Sequence, residues 1–306
     1  MAHSLKDKLV IGISSRSLFD LAEENKVYEK DGLEAYVEYQ RNHESQPLQP
    51  GAAFGLVKNL LTINQLLGEE AVEVVIMSRN SAETSLRIWD AITAHKLAIS
   101  RAAFAGGAPL ADYLKPFSVD LFLSADKEDV QAALQGKTAA ARIETVHSST
   151  QASENDDTVR IAFDGDCVLF SDEAEQVYES GGLEEFKKEE QEKAHIPLEA
   201  GPFASFAKKL SKLQKKIRDL GIAPSPIRTA FVTARNAPAH ERVLHTFQEW
   251  DLWLDESFFL GGLPKGPVLA AFGAQIFFDD QEIHLNSAES HGILGAQVPR
   301  EVKKKE

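Results

Sequence analysis

The feature that most constrains this chain is a repeat inside it. Residues 26–51 (KVYEKDGLEAYVEYQRNHESQPLQPG) lie over residues 176–201 (QVYESGGLEEFKKEEQEKAHIPLEAG) at a constant offset of 150 with no gap, and nine of the 26 positions are identical. Among the identities are Gly32/Gly182, Pro47/Pro197 and Gly51/Gly201, residue types that set backbone conformation. Further matches keep the same order. Ile76-Met-Ser-Arg-Asn80 matches Val232-Thr-Ala-Arg-Asn236, Phe104-Ala-Gly-Gly-Ala-Pro109 matches Phe259-Leu-Gly-Gly-Leu-Pro264, and Leu121-Phe-Leu-Ser-Ala125 matches Ile276-Phe-Phe-Asp-Asp280. Recurrence at so long a period implies a tandem duplication of one folding unit.

The pattern within each half indicates what that unit is. Leu9 to Ile13, Val72 to Met77 and Val119 to Leu123 are short, β-branched or aliphatic runs, and Thr138 to Ile143 is a fourth. Such runs read as strands buried on both faces. Three of them stop at polar residues: Ser14-Ser15-Arg16, Ser78-Arg79-Asn80 and Ser124-Ala125-Asp126. Helical patterns lie between, one before Gly32, a second from Gly32 to about His43, and longer ones at about 53–67 and 82–94. Strand alternating with helix predicts a parallel α/β sheet: two Rossmann-like, doubly wound units. The polar, aperiodic stretch VHSSTQASENDD places a linker at 146–158, between units at 1–145 and 159–306.

Charge and cysteine content narrow the partners. A net charge of −14 argues against nucleic-acid polymers and anionic membranes. Cys167 is the only cysteine, so no intrachain disulfide can form and a reducing compartment is expected; beside two carboxylates it reads as a small buried strand residue. MAHSLKDKLV has no apolar leader core and no run reaches membrane-spanning length, so the expected location is cytoplasmic.

The chemistry gathers in the second half. Ile161 to Phe163 delivers Asp164-Gly165-Asp166, Phe231-Val232 delivers Thr233, Gly261-Gly-Leu-Pro-Lys-Gly266 carries Lys265, and Ile276 to Phe278 delivers Asp279-Asp280. Carboxylates inside a core are costly, but at the carboxyl ends of parallel strands they border the ligand crevice. Taken singly, these are an Asp-Gly turn, a strand-end cap, a solvated lysine and another turn. Their shared order on one strand–helix alternation makes a site the better reading. His240, His245, His284 and His291 form no ligand set, and the tail after Pro299 is expected to fray.

This ordered set resembles the haloacid-dehalogenase-like phosphatase superfamily. More narrowly, FDGDCVLFSDE, VTARN, LGGLPKGP and IFFDDQ, with GISSRSLFD, QPGAAF and LSAD in the first half, resemble the cytosolic 5′-nucleotidases of type I. One departure is Val168, where the superfamily often has Thr. The resemblance implies Mg²⁺-dependent hydrolysis of nucleoside 5′-monophosphates, AMP-like ones first, and it makes a homo-oligomer plausible. It makes Asp164 nucleophile and metal ligand, Asp166 general acid/base and a ligand through its carbonyl, Asp279 a ligand and Asp280 its support. Thr233 and Lys265 would hold phosphoryl oxygens, with Gly165, Arg235 and Asn236 on the substrate and a helical cap at about 172–207. The physical logic agrees, since a dianionic phosphate ester meets carboxylates only with a cation between them. Alternatives are a phosphatase for sugar phosphates, or a non-hydrolytic nucleotide-binding regulator, which would have no use for Asp166.

The first half lacks this chemistry. Ser14 stands for Asp164, Arg16 for Asp166, Met77 for Thr233, Leu110 for Lys265 and Ser124-Ala125 for the acidic pair. It is therefore either scaffold or a vestigial site that binds part of a nucleotide, as substrate contact or as effector, through Arg16 and Asn80.

Overall fold

Each apolar run of the first half becomes a strand covered on both faces. In the computed structural model, which describes residues 4–144 and 157–300, the chain divides into two compact units, Met1–Ser149 and Thr150–Glu306. Apart from Asp157 and Thr158, the segment read as a linker lies outside the described residues.

Unit 1 runs β1 (Leu9–Ile13), α1 (Ser15–Leu18), α2 (Ala22–Asn42), α3 (Phe54–Leu67), β2 (Val72–Ser78), α4 (Leu86–Ala94), β3 (Arg101–Phe104), α5 (Ala111–Leu114), β4 (Leu121–Ser124), α6 (Lys127–Gln135) and β5 (Ala139–Ile143). Its strands lie in the order β3-β2-β1-β4-β5, and every pair is parallel, with Leu9 opposite Val72 and Ile11 opposite Leu121. Val10, Met77 and Phe122 pack with Leu110, with Leu114 of α5 and with Val130 of α6. Ile11, Ile13 and Ile76, which alternate with them, are also buried, as strands covered on both faces require.

Unit 2 runs β6 (Val159–Phe163), α7 (Glu173–Glu192), α8 (Ala204–Asp219), β7 (Ile227–Thr233), α9 (His240–Glu249), β8 (Glu256–Phe259), α10 (Lys265–Phe272), β9 (Ile276–Asp279), α11 (Glu282–Glu289) and β10 (Leu294–Gln297). The order β8-β7-β6-β9-β10 is again wholly parallel and repeats that of unit 1. Ala162 and Phe277 pack against Leu269 and Phe272 of α10 and Leu285 of α11. Phe163 and Phe278 meet Phe203 at the start of α8 on the other face, so helices cover the sheet on both sides. The α/β, doubly wound expectation is met, and β3, β8 and β10 are the strands not foreseen.

After β6 the chain corrects one expectation. Cys167 is buried but not in a strand: residues 165–169 form a single turn in which Cys167 has φ 64°. The turn reverses the chain directly after the paired carboxylates. Helix α7 then leaves, breaks at Gly182 (φ 74°) as α2 breaks at Gly32 (φ 83°), and returns to the same turn. The Ser171 N–H donates to Glu199 O (2.9 Å), Gly201 N–H to Leu169 O (2.8 Å) and Phe203 N–H to Val168 O (3.0 Å). Unit 1 has the same stitching: Asp20 N–H to Gln49 O (2.9 Å), Gly51 N–H to Leu18 O (2.9 Å) and Ala53 N–H to Ser17 O (3.0 Å).

Gly201 is required for this contact. A β-carbon there would stand 2.2 Å from Phe170 O and 2.6 Å from Val168 O, both main chain. Gly201→Ala should cost roughly 3 kcal/mol, a fall in Tm on the order of 5–10 °C. Gly182→Ala, where a β-carbon meets nothing within 4 Å, should cost about 1–3 kcal/mol for a backbone conformation (φ 74°, ψ −172°) that side chains rarely adopt. Thermal melts of the two variants compare them directly, and an equal or smaller loss for Gly201→Ala would contradict the stitching argument.

Candidate active site

Three neighbouring strands of unit 2 bring the distant polar residues to one place. Phe163 of β6 is opposite Phe231 of β7 and Phe278 of β9, so Asp164, Thr233 and Asp279 emerge side by side at the carboxyl ends. Lys265 begins α10 rather than sitting free in a loop, and its ammonium enters from there.

That ammonium is the centre of the cluster. Lys265 Nζ lies 2.7 Å from Asp164 Oδ1 and 2.7 Å from Asp279 Oδ2, with all three side chains almost fully buried. One cation between two carboxylates leaves a net negative charge out of water, an expensive arrangement unless further partners are supplied. Burial, with repulsion from Asp279, pushes the Asp164 carboxyl well above the usual range, while Lys265 opposes the rise. Burial likewise pushes Asp279 up to about 6 against the pull of Lys265 and the Gln281 N–H, which donates to it. Lys265 itself, despite burial, is held protonated by the pair.

Asp280, 9 % exposed, adds a third carboxylate. Its Oδ2 accepts from Arg300 Nε, while its buried Oδ1 has no hydrogen-bond partner among the described residues. Asp164, Asp279 and Asp280 each offer an oxygen within 4.8 Å of the others. Hard oxygen donors, excess negative charge and an orphaned buried oxygen fit a divalent cation of the Mg²⁺ type.

Asp166 is held apart from this trio. Arg235, just beyond β7, grips it through Nε (2.9 Å) and Nη2 (2.7 Å), and its Nη1 donates to Glu190 of α7. Glu190 is 1 % exposed and also accepts from Arg242 Nη1 of α9 at 2.8 Å. Burial alone would lower the Arg235 pKa, but Asp166 and Glu190 raise it. Arg242 continues the clamp, with Nε donating to Ile196 O (2.9 Å) and Nη2 to Glu173 Oε1 (3.2 Å). In unit 1, Arg87 makes the matching contacts, donating to Glu24 (2.5 Å), Gln40 (3.1 Å) and Gln46 O (3.0 Å).

The other expected residues fall as follows. Thr233 is 1 % exposed, and its Oγ1 accepts the Arg235 N–H at 3.2 Å, which leaves its own proton to donate. Gly165 lies against Phe231, whose ring would stand 3.1 Å from a β-carbon there. Arg235, read as a substrate contact, spends its donors on Asp166 and Glu190 instead. Asn236 is exposed beside Gly261. Arg16 and Asn80 are in unit 1, where the Asn80 amide is engaged: Nδ2 donates to Tyr36 Oη (3.2 Å) and Thr84 O (3.4 Å), and Oδ1 accepts from Ser78 Oγ (3.1 Å). Arg300 corrects the expectation of a frayed tail at that position, since it reaches Asp280, Glu175 and Glu179; residues 301–306 lie outside the described ones. Burial and the Lys265 charge push His284 down to about 4, so it is a neutral ring near the site. Sequence reasoning missed Glu190 and Arg242, one hidden in a charged run and the other in an ordinary amphipathic helix.

Human cytosolic 5′-nucleotidase 1B is 37% identical over 299 residues, covering 95% of this chain and 49% of that protein. The chain thus spans about half the length of this curated relative. No helix among the described residues is long and apolar enough to cross a membrane. The family model for 5′-nucleotidase matches residues 1–305, and the chain belongs to the 5′-nucleotidase family.

Proposed function

We propose that unit 2 hydrolyses nucleoside 5′-monophosphates, AMP-like ones first, to nucleoside and inorganic phosphate with Mg²⁺ as cofactor. The observation that carries this reading is the buried Asp164–Lys265–Asp279 cluster with Asp166 poised two residues on. Asp164, Asp279 and Asp280 would hold the cation, with the Asp166 carbonyl as a further donor. When bound, the cation supplies charge neutralisation between the carboxylates and the dianionic phosphate.

The chain's own groups do the rest. Lys265, the Thr233 hydroxyl and the Gly165 N–H receive the equatorial phosphoryl oxygens, where transition-state charge is spread. An Asp164 carboxylate oxygen attacks phosphorus in line, and the bond from phosphorus to the 5′-oxygen breaks. Asp166, as the acid, gives its proton to that oxygen, so a neutral nucleoside leaves and an aspartyl-phosphate remains. Asp166, now a carboxylate, takes a proton from water as the water oxygen attacks phosphorus, and the bond to Asp164 breaks. Turning toward the leaving oxygen takes Asp166 out of the Arg235 fork. Glu190 then keeps that buried guanidinium paired, so releasing Asp166 avoids a stranded charge.

In this reading the segment at about 172–207 is the cap over the site, and Glu190 is where it registers against Arg235. Unit 1 is taken as a copy of the same ancestral unit that has lost the chemistry. Its shared strand order, the matching stitching and the Arg87 clamp support that descent.

Asp164→Asn should remove AMP hydrolysis to background, and Asp166→Asn, which lacks both the acid for the leaving oxygen and the base for water, should slow turnover by roughly 10²–10⁴-fold. Rapid-quench phosphate release measures both, and unchanged turnover in the two variants would refute the scheme. Chelation with EDTA should abolish activity and added Mg²⁺ restore it; activity that survives exhaustive chelation would overturn the metal assignment. Assays across nucleotides and sugar phosphates test the substrate class, a clear preference for sugar phosphates counting against it.

Glu190→Gln should disturb the Arg235–Asp166 geometry and lower kcat by about tenfold or more with a displaced pH profile, while KM moves little. A variant whose only change is a lower Tm would make Glu190 structural.

A further inference from the structure

The described residues of unit 1 hold a cavity of about 350 Å³ at the strand ends that match the candidate active site of unit 2. Its floor is Ser14, Ser78, Ser124 and Leu110, and α2 supplies Tyr28 and Tyr36 as a wall. The volume falls within the range of small-molecule sites. Arg16 lines the same cavity, at the position that Asp166 occupies in unit 2.

The charges of the lining decide what could enter. Glu24 is paired with Arg87 at 2.5 Å, and Asp129 with Arg79 at 2.7 Å. Asp126 caps α6 by accepting the Asp129 N–H at 2.9 Å and stands 3.7 Å from Arg79. Arg16 has no hydrogen bond or ion pair among the described residues, so it is the cation of the lining left free to meet a ligand, while Arg79 and Arg87 hold the three carboxylates. An unpaired guanidinium presents a fork that matches phosphate oxygens.

The hydroxyls around it cooperate. Ser14 Oγ is linked to Ser17 Oγ (2.9 Å), where either can donate, and Ser15 Oγ donates to Ser78 Oγ (3.0 Å), whose own proton goes to Asn80 Oδ1. Asn80 and Gln40 bind Tyr36 Oη and so fix the ring that faces the cavity. Asn80 is thereby a positioning residue, not a ligand contact.

We infer that unit 1 is a second, metal-independent binding site for a phosphate monoester of nucleotide size, anchored by Arg16. In unit 2 three carboxylates crowd one point, whereas here the three carboxylates of the lining are tied to Arg79 and Arg87, and Arg16 is left to meet a phosphate directly. It also cannot turn the ligand over. No carboxylate stands at position 14, and Ser14 Oγ hydrogen-bonds to a serine rather than to a base. Phosphate held here stays esterified.

Equilibrium dialysis of radiolabelled AMP against the full chain in EDTA tests this, with inorganic phosphate as a competing probe. Binding should persist without metal, weaken by roughly tenfold or more in Arg16→Ala, and be partly kept in Arg16→Lys. It should be unaffected by Asp164→Asn, and Arg16→Ala should keep the parent kcat at saturating AMP with Mg²⁺. If Arg16→Ala does not fold, judged by its melt, Leu110→Trp closes the cavity from its floor and should abolish the same binding. No AMP binding in EDTA, or binding that follows Asp164 rather than Arg16, would overturn the inference. Loss of hydrolysis in Asp164→Asn is read separately, so failure here and failure of the proposed activity are told apart.

Discussion

Everything in unit 2 is arranged around one ammonium group out of water. Lys265 is compelled to stay charged by Asp164 and Asp279, and they tolerate burial because it is there. Such a trio is stable only while all its members are in register, since removing one strands the others at a cost of about 3–5 kcal/mol. That demand explains why three strands and a helix start converge on one point. It also explains why Asp280 and Arg300 are added at the edge, the arginine taking one oxygen of a carboxylate whose other oxygen is left over among the described residues.

The same economy governs Arg235. A buried guanidinium is costly with a single partner, and the fold gives it two: Asp166 on the turn after β6 and Glu190 on α7. Arg242 then gives Glu190 its own second partner. The chain of alternating charges runs from the carboxyl end of β6 into α7 and on to α9, so the orientation of Asp166 is tied to the docking of α7.

Much of this was legible in the amino-acid order, for a reason specific to parallel sheets. Central strands buried on both faces are unbroken apolar runs, so the polar residue that ends each one stands out, as Asp164, Thr233 and Asp279 do. The edge strands β3 (RAAF) and β8 (ESFF) are short and only partly buried, and so leave no such run. β10 (LGAQ) is buried but too small and too mixed in composition to register. Glu190 was hidden because it lies in LEEFKKEEQEK, where most charges do face solvent and only the fold singles out one. Arg235 was visible as a residue near the site, but its role depends on which carboxylates lie within reach, and spacing does not carry that information. Cys167 was misplaced because an apolar run after a turn looks like a strand, whereas here it is the turn itself.

The stitching of residues 199–203 onto residues 168–171 has a consequence for how such a chain can change. Main-chain hydrogen bonds close the base of the helical excursion, so the turn after β6 takes its shape from backbone that does not depend on what lies farther out. Length, charge or aromatic content near Gly182 can drift without reaching Asp164, provided the Glu190 end still docks. The base of the excursion is thereby insulated from change at its outer end, and the two can vary independently.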